Sequence, residues 1–288
     1  MRKILLLLGA LAFPVQAGFV GNTAIMYPAA GGAFSPEDPT SATLIGWFDA
    51  DDSGTIWTTS ARTANVTSNL DPVGAWDDKS ATSPDLSLSI NNPNRPEYQT
   101  NVHNSKPGIS FVAGDTNQLE NLSYTLSLSG VSIFFVYEHV TQVDNGRLMV
   151  LHDGGTNDYD SPDSIMIQQT ESWEGNLVRA YNDSALVVDS STLSNTTVYL
   201  LQFDYQFTGS PAGEMFVDGT STSTDTTGGP NATADPTEIY IGVGQEGGDV
   251  AWSTINILEI LIYDAVVSGA DQTDIETYID DKWAIAGL

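Results

Sequence analysis

Across residues 43–252 the chain is a succession of short apolar runs rich in β-branched and aromatic residues. Each is broken within a few residues by Gly, Asn, Asp, Ser or Pro. Runs this short do not build amphipathic helices, whereas turn residues at close intervals are what antiparallel strands require. The pattern predicts an all-β fold, a sandwich of two antiparallel sheets. "SIFFVYEHV" (132–140) and "TTVYLLQFDYQF" (196–207) have the composition of central strands. Asp218-Gly219, closing the run "GEMFVDG", predicts a tight hairpin, because both residues tolerate positive φ. The Ser/Thr-rich stretch 221–236 that follows reads as a surface loop. "INILEILIYD" (255–264) reads as a buried strand, and Glu259 in its middle needs hydrogen-bond partners. One helix is expected at the C-terminus. Ser268 and Asp271 form a capping-box-like pair, and Ile275, Tyr278, Ile279 and Trp283 recur at helical spacing as a stripe that should lie on the sandwich.

Charge sets the next limits. There are 37 acidic residues against 9 basic ones, a formal net of -28. Such a polyanion is repelled by nucleic acid and by anionic lipid, and the few basic residues are scattered. No cysteine is present, which excludes disulfides and thiol chemistry. Arg2 and Lys3 precede a ten-residue apolar run over 4–13, too short to span a bilayer. Pro14 breaks it, and Val15-Gln16-Ala17 resembles a cleavage site. Residues 1–17 therefore read as a signal peptide, the alternative being an uncleaved hydrophobic segment. Residues 18–42, rich in Gly, Ala and Pro, read as a linker or docking arm, and 43–288 as the sandwich. The expected location is secreted, extracellular or periplasmic.

"GWFDADDSGTI", "WDDKS", "NRPEYQ", "KPGISFVAGDTNQL", "SIFFVYE", "GEMFVDG", "IYIGVG" and the closing stretch "INILEILIYDAVVSGADQTDIETYIDDKW" occur in that order. Together they resemble the laminin-G-like (LamG) modules of the concanavalin A-like lectin/glucanase superfamily, over residues 44–288. The similarity is to versions found in secreted bacterial proteins and phage virion proteins. It implies a jelly-roll of two curved antiparallel sheets and non-catalytic binding to glycans or other surface polymers. Two positions depart from the family pattern: Asp218-Gly219 replaces the usual Asn-Gly, and Ala81 stands after "WDDKS" where glycine is usual.

Three chemistries remain to be weighed. Asp49, Asp51 and Ser53, spaced two apart and followed by Gly54, imitate the start of an EF-hand loop. The twelfth position is Ser60 rather than glutamate and the flanks read as strands, so Asp49, Asp51 and Asp52 are the weaker calcium candidates. Asn157, Asp158, Asp160 and Asp163 supply oxygen ligands more densely and are the better set for Ca2+. The solvated-loop reading stands beside both. For catalysis, the Glu-x-Asp-x-x-Glu strand motif of glucanases is absent. Glu171 and Glu174, three apart, would face opposite ways on a strand. His103, His139 and His152 lack metal-ligand spacing, and no serine lies in Gly-x-Ser-x-Gly. These absences argue against an enzyme. Sugar binding needs aromatic faces beside carboxylates, which selects Asp158, Tyr159, Asp160, Glu171, Trp173 and Trp252. The expected function is a carbohydrate- or surface-binding module. The alternatives are a virion or surface-assembly component contacting other virion proteins, and a divergent glycoside hydrolase.

Overall fold

A computed structural model describes residues 34–82, 85–90, 93–154, 164–182, 186–207, 213–226, 234–246 and 249–288. The proposed signal segment 1–17 and the first part of the linker lie outside these. Strands are numbered in chain order. The first sheet runs, in spatial order, β16 (Thr220–Asp225), β15 (Gly213–Val217), β14 (Thr197–Gln206), β9 (Gly130–His139), β20 (Ile255–Tyr263), β7 (Lys106–Phe111), β6 (Glu97–His103) and β3 (Asp71–Pro72). A further strand, β1 (Leu44–Asp49), pairs with the later half of β20. The second sheet runs β13 (Leu186–Asp189), β12 (Val178–Asn182), β11 (Ile165–Gln169), β10 (Arg147–His152), β17 (Glu238–Ile241), β8 (Leu119–Asn121), β5 (Leu88–Ser89), β4 (Ala75–Trp76) and β2 (Ile56–Trp57). A separate hairpin joins β18 (Val243–Glu246) to β19 (Asp249–Trp252), and one helix, α1 (Ala270–Trp283), closes the chain. The fold is the expected all-β sandwich with a C-terminal helix.

Period-two alternation builds the core. Ile133, Phe135 and Tyr137 of β9 and Leu201, Phe203 and Tyr205 of β14 face inward, meeting Leu148, Leu151, Ile165, Ile167, Ile239 and Ile241 of the second sheet. Each such side chain contributes roughly 1.5–3 kcal/mol by leaving water. Asp218 (φ 48°) and Gly219 (φ 71°) make the predicted hairpin turn. The turn then pairs Thr220 and the first residues of the Ser/Thr-rich stretch, 221–225, as β16 rather than leaving them as loop. β-branched threonine tolerates that extended role.

The first sheet's outer face carries the helix. β20 reads as apolar on both faces, and a bulge explains its alternation: the register shifts between Ile257 and Glu259. Ile255 and Ile257 face the inter-sheet core before the bulge, as do Ile260 and Ile262 after it. Leu258 and Leu261 join Ile275, Ile279 and Trp283 beneath α1. The expected capping box does not form. Gly269 is the N-cap with no side-chain bond, and Asp271 Oδ2 accepts instead from Thr40 N (2.9 Å) and Ser41 N (2.8 Å). With Phe34 against Tyr278 and Tyr263 OH donating to the Pro36 carbonyl (2.8 Å), these bonds strap residues 34–41 over the helix.

Glu259 is fully buried in this layer. Its Oε1 accepts from Trp47 Nε1 (2.8 Å), Tyr278 OH (2.8 Å) and Lys282 Nζ (2.9 Å), and Oε2 from Trp283 Nε1 (2.6 Å). Lys282 also reaches Asp49 Oδ1 (2.7 Å). Burial pushes the Glu259 carboxyl above its ordinary value against the pull of Lys282. For Asp49, burial is outweighed by Lys282 and then Lys79, and its pKa lies below the ordinary value.

Candidate functional site

The outer face of the second sheet gathers the groups best suited to chemistry. On β17, Ile239 and Ile241 enter the core, so Glu238 and Tyr240 point outward. On β8, Leu119 enters the core and Glu120 points outward. The ladder sets Tyr240 opposite Glu120, which makes Glu238 the diagonal neighbour of Glu120 on the same face. Diagonal neighbours lie about 7 Å apart.

Each carboxylate has an orienting partner. Tyr240 OH donates to Glu238 Oε2 (2.7 Å), and Gln118 Nε2 donates to Glu120 Oε2 (2.7 Å). The His152 ring, opposite Glu238 on β10, comes within 3.7 Å of Glu238 Oε2. Tyr124 OH donates to the Glu238 carbonyl (2.8 Å). Burial raises the Glu120 carboxyl, and the charge of Glu238 adds to that against the Gln118 bond. Burial, with Glu238 beside it, also raises the Tyr240 phenol. Neighbouring carboxyls with one held toward its acid form suit general acid–base work.

Aromatic residues continue the row across the strands. Trp57 on β2 stands four strands from Tyr240, about 19 Å at ordinary strand spacing, and Tyr181 on β12 three strands away on the other side. Asn117 and Asn121, which bracket Glu120 along the chain, line two open clefts of ≈ 460 and ≈ 500 Å³. One holds Arg95, Glu97 and Asp115, the other Arg62, Asp77 and Asp85.

The residues selected from sequence lie elsewhere. Glu171 and Trp173 come together in the turn between β11 and β12, where the Trp173 indole N–H donates to Glu171 Oε2. Glu171 and Glu174 thus sit in a turn closed by Glu174 N to Glu171 O (2.9 Å), not on a strand. Trp252 is half-buried at the end of β19, and its carbonyl abuts Gly146, one residue from Asn145, whose amide reaches Glu171 Oε1 (3.5 Å). Asn157, Asp158, Tyr159, Asp160 and Asp163 lie outside the described residues. Asp49, Asp51 and Asp52 are brought together around lysines: Asp49 and Asp52 around Lys79 (2.9 and 3.0 Å) and Asp51 on Lys106 (2.5 Å). Ammonium groups occupy the oxygens that an ion would use. Among the described residues no group of three or more His, Asp or Glu side chains is arranged to hold a metal ion. Neither Glu120 nor Glu238 stands out in the sequence; the alternation Glu-Ile-Tyr-Ile over 238–241 is the one local signal that sets Glu238 and Tyr240 outward.

No protein-family model and no curated protein matches the sequence. Solved structures do match the fold. A mutant GH54 α-l-arabinofuranosidase soaked with 4-nitrophenyl α-l-arabinofuranoside is similar with a TM-score of 0.56 and 9% identity, over 83% of this chain and 62% of that one. A GH54 α-l-arabinofuranosidase soaked with a cyclic sulfate inhibitor gives 0.53 at 9% identity, with the same coverage. The Trypanosoma rangeli sialidase with 2,3-difluorosialic acid as a covalent intermediate gives 0.50 at 10% identity, over 84% of this chain and 34% of that one. The chain therefore spans about a third of the sialidase and under two thirds of the arabinofuranosidase. At this identity the likeness is one of fold. It overturns the expectation that the chain is not an enzyme: chains of glycan-cleaving enzymes contain this sandwich, so the lack of one glucanase motif does not exclude catalysis.

Proposed function

We propose that the domain acts on glycans and hydrolyses a glycosidic bond on the outer face of the second sheet. The observation that carries this reading is the Glu120–Glu238 pair, two outward carboxyls on adjacent strands. The Cα atoms of such diagonal neighbours lie about 7 Å apart, and we assign the pair the inverting arrangement, in which the carboxyl groups stand about 6.5–9.5 Å apart with room for one water. Glu120, which burial holds toward its acid form, protonates the leaving oxygen. Water attacks the anomeric carbon as the bond breaks, and Glu238, oriented by the Tyr240 hydroxyl, takes the water's proton. Trp57 and Tyr181 lie where sugar rings on either side of that bond would stack. The kinship in fold with an α-l-arabinofuranosidase and a sialidase supports a glycan substrate, and the order of motifs supports a concanavalin A-like, LamG-type sandwich. The leader-like residues 1–17 support export, which N-terminal sequencing of native protein checks by a start at Gly18. Calcium enters through Asn157, Asp158, Asp160 and Asp163, and a chelator-sensitive melting temperature is its readout.

The decisive assay is release of reducing ends from arabinan, laminarin, xylan and agarose. Wild type should act on at least one, and Glu120→Gln and Glu238→Gln should each lose about a hundred-fold or more with the fold intact. Wild-type inactivity on the whole set, or a variant that keeps its rate, removes the hydrolase reading.

A further inference from the structure

We infer that Trp173 is a second glycan contact, a stacking platform remote from the carboxylate pair, for a polymer that is uncharged or carries amino groups. Trp173 is 77% exposed, more than any other large hydrophobic residue described. A loosely held indole would fold onto the surface to shed water. This one is tied at its edge instead. Its N–H donates to Glu171 Oε2, and Asn145 reaches the other Glu171 oxygen. Ser172 N donates to Asp144 Oδ1 (2.7 Å), and Glu174 N to the Glu171 carbonyl (2.9 Å). The result is a fixed aromatic plane standing out from a braced turn.

The surroundings choose the occupant. Asp144, Glu171 and Glu174 lie in and beside the turn, and the nearby cation Arg179 is bonded to both Glu174 and Asp189. One aromatic ring among carboxylates is too small and too polar to serve as the apolar core of a protein interface. An acidic rim on a chain of net charge -28 repels anionic lipid and anionic polysaccharide. A sugar ring fits both parts: its C–H face covers the indole while its hydroxyl or amino hydrogens bond the carboxylates.

The platform lies three strands across from Glu120 and beyond the end of β11, about 20 Å away, so only a polymer could touch both. The bridging role rests on the proposed function; the binding role does not. Affinity electrophoresis in gels containing arabinan, laminarin, chitosan or alginate tests it, with wild type, Trp173→Ala and Trp173→Phe. Wild type should be retarded by at least one of the first three and not by alginate. Trp173→Ala should lose ten-fold or more in affinity without a change in melting temperature, and Trp173→Phe should keep most of it. Equal retardation of Trp173→Ala and wild type, or retardation of wild type by alginate alone or by none, overturns the inference. Reducing-end release is scored separately: a Trp173-dependent retardation without hydrolysis sinks only the hydrolase reading. Hydrolysis with Trp173-independent binding sinks only the platform.

Discussion

Asp204 offers a quantitative check on the packing of the helix layer. It sits on β14 facing α1, between Ser132 of β9 and Glu214 of β15. Ser132 Oγ (2.5 Å) and Gln202 Nε2 (2.8 Å) donate to it, yet burial dominates, with Glu214 and Glu276 adding repulsion, and its pKa rises to about 7 from 3.8. The unfolded chain therefore releases this proton at a lower pH than the folded one. Stability from this group is fully present below 3.8 and is lost as pH climbs through 7. The shift of about three units corresponds to roughly 4 kcal/mol in full, of which about 2.5 kcal/mol is lost between pH 5 and 8. Asp204→Asn keeps the shape and removes the charge. The amide oxygen can still accept from Gln202 Nε2 while the amide nitrogen donates to Ser132 Oγ, so the hydrogen-bond cost should stay near ~1 kcal/mol. Urea unfolding at pH 5 and pH 8 measures the difference between the two proteins, which should move in favour of the asparagine variant by about 2.5 kcal/mol. A difference that is equal at both pH values refutes the argument, whatever the absolute stabilities.

Further expectations concern other joints of the structure. Lys282→Met strands the buried Glu259 charge and should cost about 3 kcal/mol or more by chemical denaturation, while Glu259→Gln should cost less because Asp49 still pairs with Lys282. Gly242 has φ 79°, and a β-carbon there would lie 2.3 Å from Phe111 Cδ1; Gly242→Ala should lower stability by about 2 kcal/mol or more, read as a fall in melting temperature. Asp271→Ala removes the acceptor for Thr40 and Ser41, and limited proteolysis should then cut faster within residues 34–42.

Strands and hairpin were legible because each is a local statement. Period-two apolar residues and an Asp-Gly turn need no knowledge of distant chain. The stripe Ile275–Ile279–Trp283 is equally local, and all three are buried. What was not legible depends on pairing at long range. β20 is apolar on both faces, so its bulge leaves no trace in composition, and Glu259 alone hinted at the polar layer beneath the helix. Glu120 lies in a three-residue strand with no period to read, and only the β8–β17 ladder brings it beside Glu238. The capping box failed for a similar reason: Asp271 had a better use in tying residues far upstream. The acidic triplet at 49–52 looked like an ion site because its three partner lysines are scattered through the sequence.

Those lysines have a practical consequence. The chain has four, and all except Lys3 are engaged around the two indoles of Trp47 and Trp283. Apart from the chain's amino end, an amine-directed crosslinker or fluorophore meets almost nothing else to attack on the described domain. Lys282 is the one of the three that lies in the closing helix, where it holds Asp49 and Glu259, so labelling at that position would itself report how often the helix lifts away.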